Sequence, residues 1–148
     1  MSLEENKAII LRLVEALNNK DFDLIDDLIS ADYFDHLLPV RGLEAFKQYA
    51  NIFLNAFPDL HRTVKDIIAE ADKVWIRIEI TGTQTGQFRG LAPTGKKITV
   101  PSVIIWRIAN GKITERTQIT DNADFYKQLG IVEYTEKGKQ LFQESASQ

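Results

Sequence analysis

The stretch Thr-Gly-Thr-Gln-Thr-Gly-Gln-Phe-Arg-Gly-Leu-Ala-Pro-Thr-Gly runs from Thr81 to Gly95, between two strongly β-patterned segments. It is too long for a two-residue hairpin and carries Phe88 and Leu91 among its glycines. A loop of this kind folds over something apolar instead of simply reversing the chain. Around it, Leu60–Glu70, Lys73–Thr83, Lys97–Ala109 and Lys112–Asp121 are rich in Ile, Val and Thr and read as strands. Asn110-Gly111 predicts a type I′ hairpin between the last two, and Ala71-Asp72 a tight turn between the first two.

Upstream the period changes from two to about 3.6. Ile9, Ile10, Leu13, Val14 and Leu17 mark one face of a helix over residues 4–18. A short helix over 22–29 follows, with Asp21 as its cap. Tyr33 to Leu38 reads as a brief strand stopped by Pro39. Leu43, Phe46, Ala50, Phe53 and Phe57 then mark a helix from Gly42 to Ala56, closed by Pro58. A last helix is expected over 122–129 with Gly130 as its cap, and a further short one from Thr135 to Glu144. Helices followed by an antiparallel sheet of about four long strands make an α+β pattern. Twist curves such a sheet, and helices on its concave side leave a pocket at one end.

At 148 residues the chain is read as one domain, 1–148, with its core at about 5–130 and an extension over 131–148. Apolar residues make up 44% and charged residues 26%, a globular mixture. Eighteen basic against 21 acidic side chains give −3 without any basic stripe, so no nucleic-acid partner is expected. The absence of cysteine excludes disulfides and thiolate chemistry and fits a cytoplasmic setting. There is no apolar run of about 18 residues and no basic-apolar leader, so neither a membrane span nor a signal peptide is expected. Two distant histidines give no metal-ligand spacing, and the glycines form no phosphate cradle.

Several of these residues together resemble the SnoaL-like polyketide cyclase group of the nuclear-transport-factor-2-like superfamily. They are Asp35-His36 ahead of a proline, Gly42 with Phe46, Phe57-Pro58-Asp59-Leu60, and Thr83-Gln84-Thr85-Gly86-Gln87-Phe88 with Gly90. Pro93-Thr94-Gly95, Arg107 with Asn110-Gly111-Lys112-Ile113, Asp121 and Gln128-Leu129-Gly130 complete the pattern, over about residues 5–130. The resemblance implies a cone-shaped α+β fold with a deep apolar cavity, dimeric through its outer sheet face. It also implies ring closure by an intramolecular aldol step, with an Asp as acid and base and no cofactor. Asp121 matches that Asp by position. Glu115-Arg116-Thr117 departs from the Glu-His-Trp of many relatives, and Arg116 puts a permanent cation where they carry an imidazole.

Strand alternation places Asp121 on the face of Ile113, Thr117 and Ile119, although a single bulge would reverse the pattern beyond it. On an apolar face its carboxyl would lose solvation and serve as base and then acid; the other reading is a cap for the helix starting at Asn122. His36 is either a donor to a substrate oxygen or a hydrogen-bonded wall residue, with Asp35 on the opposite face. Trp75, Arg77, Glu79 and Thr81 share one face, opposite Val74, Ile76, Ile78 and Ile80. Arg77, Glu79 and Asp121 resemble the water-activating trio of limonene-type epoxide hydrolases; alternatively the first two form a cross-strand ion pair on a solvated or dimer-facing surface. Phe57, Phe88, Trp106, Trp75, Arg77 and Arg116 are the candidate substrate contacts, the aromatic ones competing with plain core roles.

The leading functional expectation is cyclase-like proton transfer on a small apolar carbonyl-bearing molecule, with Asp121 and His36 as catalytic residues and no cofactor or metal. The alternatives are a ligand-binding dimeric module without turnover, and epoxide hydrolysis.

Overall fold

The computed structural model describes residues 2–38 and 41–146. Ser2 accepts a hydrogen bond from the Glu5 amide at 3.0 Å and starts helix α1, Leu3–Asn19. Lys20, in the left-handed region at φ 57°, ends it. Asp21 caps α2, Phe22–Leu28, by accepting from the Leu24 amide at 3.1 Å. Helix α3 is Leu43–Ala56. Four strands lie where their composition places them: β2 His61–Glu70, β3 Lys73–Thr83, β4 Lys97–Ala109 and β5 Lys112–Thr120. Asn110 and Gly111 both take positive φ, 52° and 75°, as a type I′ turn demands. Helices α4, Asn122–Gln128, and α5, Glu136–Ala146, follow.

The first strand differs from expectation. Strand β1 is Ile29–Asp35, beginning four residues before Tyr33, because buried Ile29 leaves the end of α2 to pair with Ile113. It ends at Asp35, and Pro39, expected as its stop, lies outside the described residues. β1 joins β5 in parallel, so the sheet is five-stranded and mixed, in the order β1-β5-β4-β3-β2. The long strands β2 to β5 pair antiparallel throughout.

One sheet face is apolar. Val74, Ile76, Ile78, Ile104, Trp106 and Ile108 pack with Ile10, Leu13, Val14 and Leu17 of α1 in the main core. A second cluster at one end gathers Phe57, Phe88, Phe125, Leu129 and Ile98. The Phe88 ring lies 5.4, 5.9 and 5.8 Å from those of Phe53, Phe57 and Phe125. The loop from Thr81 to Gly95 therefore folds over the protein's own aromatic cluster. Gln84, fully buried, knits it together: its amide donates to the carbonyls of Gly86, Leu91 and Ala92 and accepts from the Thr94 hydroxyl at 2.6 Å. Gly86 is required where the loop meets α3, since a Cβ there would lie 1.9 Å from the Asn55 carbonyl oxygen.

One irregularity decides which β5 side chains face inward. Arg107 pairs with Glu115, but the next residue, Ile108, pairs with Ile113, leaving Thr114 as an extra residue in β5. Ile113 points into the core, and beyond the bulge Arg116, Gln118 and Thr120 take that face. Ile119 is 62% exposed on the other side.

Candidate functional site

Between the apolar sheet face and helices α1 and α3 lies a cavity of about 110 Å³. Its walls are mostly aliphatic and aromatic, among them Leu17, Phe46, Phe53, Ile76, Ile78 and Ile104. Tyr49, Arg62, Trp106, Arg116, Gln118, Thr120 and Asn122 supply its polar atoms.

Arg116 is held from behind. Its Nε donates to Asp35 Oδ2 at 2.8 Å, and its Nη2 lies 2.5 Å from the same oxygen as an ion pair, with no hydrogen-bond acceptor among the described residues. Asp35 is 1% exposed and is satisfied on every side: it also accepts from the Tyr33 hydroxyl at 3.1 Å and from the Leu37 amide at 2.9 Å. β1 alternation brings Tyr33 and Asp35 to one inward face, and the parallel register sets Asp35 opposite Arg116. Burial pushes the Tyr33 hydroxyl well above the ordinary tyrosine range, the Arg116 cation opposes this, and the Asp35 charge adds to it. Tyr33 is thus a neutral donor that anchors Asp35. The Arg116 guanidinium stands 5.2 Å from the Tyr49 ring centre and 6.0 Å from that of Trp106, in cation–π range.

Arg62, on β2, has no such carboxylate. Its Nη1 is shut off from solvent and has no hydrogen-bond partner among the described residues. Burial, and next the nearby Arg116 cation, depress its pKa to about 10, against a weaker opposing influence of Tyr49. Trp106 Nε1 is likewise buried without an acceptor among the described residues.

Of the residues expected from the sequence, Trp106 and Arg116 line the cavity and the others do not. The Asp121 carboxylate is exposed instead of half-dry on an apolar face, because the Thr114 bulge reverses the alternation that would have turned it inward. Its Oδ1 accepts from the Asp124 amide at 3.0 Å and caps α4, while its neighbours Thr120 and Asn122 line the cavity. His36, expected as a wall donor, lies outside: its side chain is 46% exposed and its Nε2 is 2.8 Å from Glu115 Oε2. Arg77 and Glu79 are on the outer sheet face, opposite the lining residues Ile76, Ile78 and Ile80, and Arg77 pairs with Asp66 at 2.7 Å. The trio with Asp121 is therefore not assembled around the cavity. Trp75 shares that outer face and is 44% exposed. Phe57 and Phe88 belong to the second core cluster.

Sequence reasoning missed Arg62, Tyr49, and the pair Tyr33 and Asp35 behind Arg116. Signals existed for the first two. Arg62 alternates with Val64 on the inward face of β2, and Tyr49 follows Phe46 and precedes Phe53 at helical spacing.

No helix among the described residues is long and apolar enough to cross a membrane. Residues 7–129 match the SnoaL-like polyketide cyclase family. The chain is 27% identical to aklanonic acid methyl ester cyclase DnrD of Streptomyces peucetius, over 82% of this chain and 88% of that one. It is 29% identical to aklanonic acid methyl ester cyclase AcmA of Streptomyces galilaeus, over 86% and 92% respectively. Among solved structures it is similar to AclR, a proposed hydroxylase from Streptomyces galilaeus, with a TM-score of 0.81 and 32% identity over 92% of this chain and 91% of that one. TsrD from Streptomyces laurentii, 22% identical with a TM-score of 0.82 over 89% of this chain and 99% of that one, shares the fold. With its mixed sheet backing a helix-covered apolar cavity and its match over residues 7–129, the chain belongs to the SnoaL-like polyketide cyclase family of the nuclear-transport-factor-2-like fold.

Proposed function

We propose that the cavity binds an apolar, carbonyl-bearing molecule and closes a ring in it by proton transfer without a cofactor. The observation that carries this reading is the placement of two guanidinium groups, Arg62 and Arg116, in the wall of a mostly apolar cavity. A substrate carbonyl oxygen directed at them gains negative charge as its α-proton leaves, and fixed cations in a water-poor site favour that enolate over the starting ketone. In this reading the Asp121 carboxylate, exposed as the cap of α4 but next in the chain to the lining residues Thr120 and Asn122, swings from its cap to the cavity rim to accept the α-proton. The freed electron pair on the α-carbon then attacks a second carbonyl of the same molecule. Asp121 returns the proton to the resulting alkoxide, so atoms and charge balance and the product is an isomer of the substrate.

Two protomers pair through the outer sheet face in this reading. Its support is the exposure there of Ile68, Trp75 and Ile119, an apolar group rare on a surface that meets only water.

The test is incubation with aklanonic acid methyl ester, the compound in the relatives' names, followed by chromatography with mass detection. Asp121→Asn is a clean variant because Asn caps helices about as well as Asp. Wild type should produce an isomer of unchanged mass, and Asp121→Asn should slow this by about 10²-fold or more. A product that gains an oxygen atom, or undiminished turnover in Asp121→Asn, overturns the mechanism. A second reading, ligand binding without turnover, is favoured by one observation: no carboxylate or imidazole is among the described lining residues. Binding of the ester by wild type without any isomerisation would select it.

A further inference from the structure

Two buried donors on residues that line the cavity, Arg62 Nη1 and Trp106 Nε1, have no hydrogen-bond partner among the described residues, and Arg116 Nη2 meets only the already shared Asp35 Oδ2 as an ion pair. Buried polar groups are nearly always paired, and charged ones most of all, so unmet donors gathered around one cavity need a common explanation. The charges point the same way. Arg116 is neutralised by Asp35, whose oxygens are already committed to Tyr33, Leu37 and Arg116 itself. Arg62 is neutralised by no carboxylate within salt-bridge distance among the described residues. The wall therefore carries one uncompensated positive charge and a surplus of donors, a demand that a single planar oxyanion would meet.

We propose that Arg62, with Arg116 and Trp106, forms an anion subsite that selects ligands bearing one delocalised oxyanion over their neutral counterparts. The shared chemistry is a planar group with charge spread over two oxygens, supplied by a carboxylate or by an acidic enol ionised at neutral pH. Guanidinium matches such a group in shape and charge, and the indole N–H adds a donor that cannot accept. The depressed pKa of Arg62 agrees with a cation that lacks its counter-charge until ligand arrives. This inference rests on the reading that the cavity is the ligand site. It goes further in stating the ligand's charge before any reaction.

The experiment uses two matched probe pairs, with affinities measured by calorimetry at neutral pH. Naphthoate against naphthamide tests the carboxylate, and lawsone, an acidic hydroxynaphthoquinone, against its methyl ether tests the enolate. Wild type should bind the anion of at least one pair about tenfold or more tightly than its neutral partner, the discrimination that a charge-assisted bond supplies. Arg62→Gln should reduce the preference to about twofold or less, and Arg62→Lys should restore part of it. Anion and neutral probe bound equally by wild type in both pairs, failure of both anions to bind, or a preference untouched in Arg62→Gln would each overturn the proposal. Binding of the neutral probes alone would leave the cavity reading standing while the subsite falls. A clear anion preference without ring closure would do the reverse.

Discussion

Arg62→Met should make the protein more stable. Met is of similar length and apolar, and it can occupy the space of the Arg62 stem beside Leu60, Ile78 and Phe46, which line the same cavity. The gain comes from removing a cation that is buried without a counter-charge. Depression of the Arg62 pKa from the ordinary guanidinium range to about 10 corresponds to roughly 3 kcal/mol of cost for the charged form. Part of the residue remains accessible to solvent, which relieves some of that cost, so the expected gain at neutral pH is about 1–3 kcal/mol. For a chain of this length that raises Tm by roughly 3–10 °C. Urea unfolding of both proteins, followed by tryptophan fluorescence, measures it directly. The pH dependence supplies a check on the cause. The folded-state pKa lies below the unfolded value, so above about pH 10 native Arg62 sheds a proton that the unfolded chain keeps. Wild-type stability therefore rises with pH in that window relative to the variant, and the advantage of Met closes. Ionisation of tyrosines in the same range occurs in both proteins and cancels in the difference. A variant less stable than wild type at pH 7, or an advantage that stays constant above pH 10, would show that Arg62 carries no buried charge penalty.

Asp35→Asn leaves the Arg116 cation buried and uncompensated and should cost about 3–5 kcal/mol in urea unfolding. Adding Arg116→Met should recover most of the loss, and strictly additive effects would contradict the pairing. Gln84→Ala strips the loop of its interior hydrogen bonds and should cost about 1–3 kcal/mol. The loss should also speed tryptic cleavage after exposed Arg89, and an unchanged cleavage rate would argue against the knitting role. Trp75→Arg places a cation in the exposed apolar group on the outer sheet face and should raise the dimer dissociation constant by about 30-fold or more. Light scattering across a dilution series reads this, and a wild type that is monomeric throughout would remove the proposed interface.

Local pattern carries most of the fold. Apolar spacing in α1 and α3, the four long strands, the Asp21 cap and the Asn110-Gly111 turn all depend on neighbours a few residues away, and each is found where the sequence places it. The dominant family signature is local in the same sense, spread along residues 7–129. The candidate site is different in kind. That Trp106 and Arg116 face the cavity was within reach, but the inward turn of Arg116 and the outward turn of Asp121 both follow from the extra residue at Thr114. The position of such a bulge is settled by pairing between strands, and period-two alternation contains no sign of it.

The chain's own order of residues thus determined the elements, their class and the apolar face that the sheet presents. Tertiary structure decided which polar groups meet. Asp35 finds Arg116 at a sequence separation of 81 through a parallel strand pairing, and Arg62 finds no acid among the described residues. Whether a charge is paired or stranded depends on every element packed around it, and that sum is formed only when the sheet and helices close together.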